Sequence, residues 1–346
     1  MHTSRKRCAT RLLFGFVFCL LSALIDMEAG AQTLEKIRGR GSIVCGVNPH
    51  LLGFSKEDER GTWRGFDVDF CRALAAAIFD DAGKVQYVPL ETWNRLPALQ
   101  EDVIDILSRN TTWSMSREAA LRLNFSVVTY FDGQGFLVRR RLNVLSSLAL
   151  NNPKVCVQDG TTSKLHMIDH FERNNIKFQV LTFGSADEAR LYYENGLCDV
   201  LTSDISQLYS ERLKLRTPDD HVVLPDIISK EPWGPVVRFG DDQWLNVVKW
   251  THFAMINAEE LGVSSMTINE ALKSNVLDVK RLIGTEGSYG ESIGLTKDWA
   301  ARIIKHVGNY GEVYERNVGS GSELGIPRGL NRLWTKGGIQ YAPPIL

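Results

Sequence analysis

The chain has 346 residues, of which 44% are hydrophobic and 23% charged, with a formal net charge of −1 at pH 7. That length allows about two domains, and the composition is that of a globular protein, neither disordered nor fibrous. A charge this close to zero supplies no basic face for nucleic acid or for an acidic membrane surface.

Arg5, Lys6, Arg7 and Arg11 form a basic start, Leu12 to Ile25 an apolar run, and Ala29-Gly30-Ala31 a small-residue end. This order reads as a secretory signal cut before Gln32, because the apolar run is too short to anchor a chain in a membrane. Removing it leaves 36 basic against 39 acidic side chains. Cys8 and Cys19 leave with the signal, and Cys45, Cys71, Cys156 and Cys198 remain. An even number in an exported chain points to disulfides. No CxxC spacing occurs and the histidines are scattered, so neither a metal site nor a cofactor is expected.

Ile43 to Val47 reads as a strand running into Asn48-Pro49-His50-Leu51. Glu57 to Thr62 is a polar turn around Gly61. Gly65-Phe66-Asp67-Val68-Asp69 opens a helix carrying Leu74, Ala75 and Ile78 on one face, with the two acids expected to cap its start. Val85 to Val88 is a strand, and Thr92 to Leu99, with Trp93, a capped helix. Val103 to Leu107 is a strand that spills into Ser108-Arg109-Asn110-Thr111-Thr112-Trp113, then Arg117. Ala120, Leu121 and Leu123 suggest a short helix after it. A strand end leading into Asn, Thr and Arg is where open α/β sheets place ligands. The Arg117 fork matches a carboxylate in bidentate fashion, with Asn110 and Thr112 beside it.

Beyond Tyr130-Phe131-Asp132-Gly133-Gln134-Gly135-Phe136 a new unit begins. Lys154 to Val157 is a strand followed by Gln158-Asp159-Gly160-Thr161-Thr162 and a helix, a backbone arrangement that can hold an anion. A strand at Val180 to Phe183 and a helix from Ala186 to Asn195 follow. Cys198 to Asp204 is a strand running into an acid, with Asp204 open to either a ligand role or a helix cap. Glu231-Pro232-Trp233 carries the chain back, and Asp242 to Leu261 is a long amphipathic helix. Lys297 to Val307 is a further helix in a Gly- and Tyr-rich tail.

The wording Ser-Arg-Asn-Thr-Thr-Trp and Tyr-x-Asp-Gly-Gln-Gly-Phe, with the Gly-aromatic-Asp-x-Asp start at Gly65, resembles the family 3 solute-binding proteins of bacterial ABC importers. Within that family it is most similar to the general L-amino-acid-binding branch, from about Leu34 to the C-terminus. The resemblance implies an α/β, two-lobe, type II-like periplasmic binding protein, each lobe a mixed sheet flanked by helices, with two hinge crossovers. The expected division is signal 1–31, first lobe 32–135, second lobe 136–230, and return to the first lobe with a C-terminal extension 231–346. The hinges are expected at 133–138 and 228–234. One disulfide is expected in each lobe, Cys45–Cys71 and Cys156–Cys198, so that neither blocks the hinge.

The same resemblance implies that Arg117, Thr112 and the Thr161-Thr162 turn hold a ligand carboxylate, that Asp204 holds the α-ammonium, and that Trp93 lies over the ligand. It leaves Asn48, His50, Leu51, Gln158 and Ser203 around the side chain, none with a fixed full charge. The implied protein is a monomeric periplasmic receptor of broad side-chain specificity. It passes L-amino acids to an inner-membrane ABC permease and its ATPase, and performs no chemistry. Two alternatives stay open, a cyclic-acid dehydratase on the same scaffold and a ligand-sensing domain.

Overall fold

The computed structural model describes residues 32–346, and the expected signal at 1–31 lies outside the described residues. Helix α1 (Gln32–Arg40) leads into β1 (Ile43–Val47), the short strands β2 (His50–Leu51), β3 (Ser55–Glu57) and β4 (Trp63–Arg64), and α2 (Phe66–Phe79). Then come β5 (Val85–Pro89), α3 (Arg95–Gln100), β6 (Ile106–Leu107), a π-helical turn at Ser116–Ala120, β7 (Leu123–Phe125) and β8 (Tyr130–Asp132). The second half holds β9 (Gln134–Arg139), β10 (Lys154–Gln158), α4 (Thr162–Arg173), β11 (Gln179–Phe183), α5 (Ala186–Glu194), β12 (Val200–Asp204), α6 (Ile205–Leu213) and β13 (His221–Val223). The chain returns through β14 (Glu231–Trp233), β15 (Val236–Arg238) and α7 (Asp242–Glu260). The tail adds α8 (Ile268–Ala271), α9 (Leu277–Ile283), α10 (Trp299–His306) and α11 (Tyr310–Asn317).

Two five-stranded sheets repeat one plan, β5-β1-β6-β15-β7 and β11-β10-β12-β9-β13. In each, three parallel strands are followed by two contacts of opposite sense, and the fourth strand comes from beyond the crossover. The two chain crossings pair with each other, Tyr130↔Trp233, Phe131↔Pro232 and Asp132↔Glu231, as a separate antiparallel ribbon. The crossing therefore lies at β8, not at 133–138. Phe136, Leu137 and Val138 are fully buried inside the second sheet and carry its packing, so they are no hinge. The short helix expected over Ala120, Leu121 and Leu123 is the π-helical turn Ser116–Ala120, which ends before Leu121, and Leu123 faces Arg238 in the first sheet.

Alternation along β9 sets the second core. Phe136 and Val138 pack with Val155, Val157, Met167 and Phe171 on one face, and Leu137 packs with Tyr193, Leu201 and Leu208 on the other. The first sheet is covered on one side by α2, α7, α10 and α11, and on the other by Leu90, Leu99, Ile104 and Phe125. Gly65 opens α2 at φ +133°, and a Cβ there would meet the Phe54 carbonyl oxygen at 2.1 Å. Only glycine fits that approach, which explains the residue before Phe66.

Asp67 and Asp69 do not cap α2; neither makes a cap hydrogen bond there. Asp69 instead ties the tail to the first sheet, accepting from Arg72 at 3.0 Å, Arg316 at 2.9 Å and Asn317 at 2.7 Å. Asp67 is buried with Oδ2 unpartnered. Disulfides join Cys45 of β1 to Cys71 of α2, and Cys156 of β10 to Cys198, each inside one half.

Candidate functional site

The parallel strands of both sheets point their C-terminal ends at one cleft, the place where open α/β sheets hold ligands. The cavity left inside the cleft measures about 40 Å³. The turn after β1 delivers Asn48 and β2 delivers His50, while the loop after β5 delivers Glu91 and Thr92 and the start of α3 delivers Arg95. The run after β6 delivers Arg109, Asn110 and Thr112, and the π-helical turn delivers Arg117. From the other side come Gln158, Thr161 and Thr162 after β10, Asp187 of α5, Ser203 and Asp204 of β12, and Gln207 of α6.

Arg117 Nη1 donates to the Thr112 carbonyl at 2.8 Å, which fixes one face of the fork. Burial lowers its pKa, and the nearby Asp204 and Glu231 oppose that shift. Asp204 ends β12 where α6 begins, yet it makes no cap hydrogen bond. Its Oδ1 is buried without a partner, and burial beside Glu231 and Asp132 holds its carboxyl well above the usual range. The cap reading of Asp204 therefore fails on geometry. A buried acid without partners is expensive unless a cation or donor reaches it.

Glu231 is fully buried at the centre of the crossing ribbon. It accepts from Thr112 at 2.6 Å, Thr162 at 3.1 Å and Ser229 at 2.6 Å, and meets His166 Nδ1 at 2.9 Å. The Thr112 and Thr162 hydroxyls are thus committed to this acid, which sequence reasoning missed. Asp132 across the ribbon takes Gly133 N at 2.9 Å and the Ser206 hydroxyl, and burial pushes it up to about 7. Thr161 donates to the Gln158 carbonyl at 2.7 Å.

The halves touch across the cleft. Asn110 Nδ2 donates to Gln207 at 3.2 Å, Gln158 Nε2 to Thr92 at 3.1 Å, and Lys214 Nζ to the His50 carbonyl at 2.8 Å. Asn48 also donates to Asn110, at 2.9 Å. Of the residues expected around the ligand, Asn48, His50, Asn110, Thr112, Arg117, Gln158, Thr161, Thr162, Ser203 and Asp204 line this one cleft. Leu51 and Trp93 do not. Leu51 is buried in the first core, and Trp93 is 76% exposed on the loop before α3 while its neighbours Thr92 and Arg95 turn inward. Two further guanidiniums outside the expected set, those of Arg95 and Arg109, are buried in the cleft wall, together with the acids Glu91 and Asp187 at its edge. Arg109 follows directly after a predicted strand end, a signal that pointed to it; Arg95 sits on a helix where only the tertiary fold turns it inward.

The sequence profile of the bacterial extracellular solute-binding proteins, family 3, matches residues 43–271. The general L-amino acid-binding periplasmic protein AapJ of Rhizobium johnstonii is 51% identical over 97% of this chain and 99% of its own. The glutamate/glutamine/aspartate/asparagine-binding protein BztA of Rhodobacter capsulatus is 44% identical over 94% of this chain and 96% of its own. Among solved structures, an ABC transporter periplasmic binding protein from Brucella ovis with glutathione bound superposes with a TM-score of 0.90. It shares 49% identity, covering 91% of this chain and all of that one.

Proposed function

The chain belongs to the bacterial extracellular solute-binding proteins, family 3, and from that membership we propose which solute it holds and how. It acts by binding, as its relatives do, and not by turning substrate over. The ligand is an L-α-amino acid gripped at its α-carbon. Arg117 holds the carboxylate, supported by the Thr161-Thr162 turn at the start of α4. Asp204 takes the ammonium, and Asn48, His50, Gln158 and Ser203 surround the side chain. The observation that carries this reading is the pairing of Arg117 with Asp204. One comes from each half, both line one cleft, and Asp204 keeps a buried oxygen without a partner. A zwitterion is the molecule that satisfies both.

The lobes in this reading are the expected 32–135 with 231–346 and 136–230, with the first boundary moved to Asp132 because β9 from Gln134 already belongs to the second sheet, and they turn about the ribbon of β8 and β14. The protein is a monomer, exported to the periplasm by a signal cleaved near Ala31, and it hands its ligand to an inner-membrane ABC permease with its ATPase. AapJ carries general L-amino acid binding in its name, which supports a broad side-chain range here. Calorimetric titration of residues 32–346 with L-amino acids, their D-isomers and des-amino acids tests the grip. Binding of L-isomers alone is expected. Equal affinity for D- and L-forms, or for des-amino acids, ends the reading.

A further inference from the structure

A second hollow, of about 360 Å³, shares no lining residue with the ligand cleft. It lies between the C-terminal end of α7, α9 and the segment 341–346. Leu261, Leu282 and Ile345 give it an apolar lining. Trp334 and Tyr341 stand at it in edge-to-face contact, with 5.5 Å between ring centroids and 66° between planes. Both side chains stay open to solvent, 50% and 63% exposed. Two adjoining rings on an apolar hollow form a patch rather than scattered exposed side chains, and such patches mark contact sites.

The charge at the hollow is one-sided. The 19-residue α7 ends on Glu259 and Glu260 and has no basic residue in its last turn. Acids there face the negative end of the helix dipole, which is unfavourable unless a cation answers them. Glu259 is answered by Arg328, whose fork grips it at 2.5 and 3.0 Å. Glu260 is not. Its two oxygens share the Trp334 Nε1–H at 3.2 Å each, and no Lys, Arg or His lines the hollow. Asp278, the other acid in the lining, is already paired with Arg281 at 3.3 Å. The hollow thus gathers a helix C-terminus, a carboxylate without a countercharge, and two rings whose faces are electron-rich.

We propose that this hollow is a binding site for a small organic cation, an alkylated ammonium or guanidinium group. A cation over an aromatic face is attracted by the ring quadrupole, and the Glu260 carboxylate adds a full opposite charge beside the rings. A hard metal ion does not suit the site, because such ions require several oxygen ligands and the wall is largely apolar. Methyl and methylene groups borne by an organic cation bury against Leu261 and Ile345 instead. Trp334, Tyr341 and Ile345 all lie beyond residue 271, where the matched family profile ends, so the site belongs to the tail and not to the shared scaffold. It is independent of how the cleft is read.

The indole N–H of Trp334, identified by its loss in Trp334→Phe, reports on the hollow in proton–nitrogen correlation spectra of residues 32–346. Tetramethylammonium chloride is expected to shift it saturably, with a midpoint on the order of 1–10 mM. tert-Butanol, uncharged and of similar size and shape, should have a midpoint at least about tenfold higher, as should sodium chloride at matched ionic strength. Glu260→Gln keeps an oxygen for the indole and should weaken tetramethylammonium binding at least about threefold. Tyr341→Ala should do the same by removing one ring. Both positions are exposed, so neither substitution disturbs the core. Equal midpoints for tetramethylammonium and tert-butanol would reveal an apolar hollow with no preference for charge and overturn the proposal. A shift that never saturates, or a midpoint unchanged in both variants, would overturn it as well.

Discussion

Arg117 and Asp204 show how one side chain acquires its chemistry from its surroundings. Arg117 has one face of its fork held by the Thr112 carbonyl, leaving the other for a planar anion. Truncating one partner of a buried ion pair costs roughly 3–5 kcal/mol. Arg117→Ala is therefore expected to weaken every L-amino acid by about two to four decades, read by calorimetry. Wild-type affinity would remove Arg117 from the site. Asp67 offers a test at the same scale that is independent of ligand. The unfolded chain releases its proton near 3.8, whereas burial keeps the proton on the folded chain to about 7. Between those values the native state holds the extra proton, so this group's contribution to stability falls as pH rises from about 4 to 7, with the full penalty present above that. Asp67→Asn removes the penalty. Denaturant unfolding should show a gain of roughly 1–4 kcal/mol at pH 8 and little change at pH 4. An equal gain at both pH values would contradict the assignment.

The element that joins the halves is the ribbon of β8 and β14, braced from two directions. Glu231 gathers Thr112 of the first half and Thr162 and His166 of the second. The tail grips the same ribbon from behind. Asn331 meets both backbone groups of Phe131, at 2.7 and 3.0 Å, while the Tyr310 hydroxyl and Gln340 donate to the Thr129 carbonyl at 3.0 and 3.2 Å. Residues beyond 271 lie outside the matched family profile, so this grip is a feature added to the shared scaffold. Asn331→Ala should leave the cleft residues in place and raise amide exchange at Phe131 and its neighbours by about tenfold, because the variant frees two ribbon hydrogen bonds. Unchanged exchange would show that the tail is only a coat. Each disulfide joins two segments within one half. Cys156→Ser/Cys198→Ser is expected to cost about 2–4 kcal/mol without loss of binding, because the 42-residue loop it closes, which carries Gln158, Thr161 and Thr162, stays held by β10, α4 and α5. Thermal melts with and without ligand separate the two effects.

At the scale of the molecule, two halves of one plan are joined by a two-stranded ribbon, by Tyr209 and Leu213 of α6 packed against the first core, and by a set of polar contacts across the cleft. Such contacts are weak one by one and exchange readily with water. The structure has them made, with Asn110 on Gln207 and Thr92 under Gln158, so it represents the closed arrangement. A protein of this shape is expected to open by rotation about its crossing strands, with ligand favouring the closed population by its extra contacts there. X-ray scattering should therefore give a larger radius of gyration for ligand-free protein than for protein saturated with a tight ligand. An identical radius in both conditions would argue against rotation.

Much of this was legible in the sequence because it depends on local pattern. β1, β10 and β11 follow from short apolar runs bounded by turn residues. Gly65 stands in the Gly-aromatic-Asp-x-Asp wording, while its reason, the close approach of the Phe54 carbonyl, comes from the fold. The motif from Ser108 to Arg117 marks its own strand end. The resemblance carried by that wording led to the family and to Arg117, Asp204 and both disulfides as candidates. Tertiary structure alone decided the rest. Glu231 sits in a plain Glu-Pro-Trp stretch, and nothing nearby in sequence shows that four partners from both halves converge on it. Trp93 and Arg95 are two residues apart on one loop and helix start, and only the packing of α3 decided that the indole faces water and the guanidinium faces the cleft. Asp67 and Asp69 look alike as helix-start acids, yet Asp69 meets the tail 247 residues later and Asp67 keeps Oδ2 buried without a hydrogen-bond partner. Sequence patterns report what a residue does to its own backbone. The charge state and partners of a buried group are set by atoms that arrive from elsewhere in the chain.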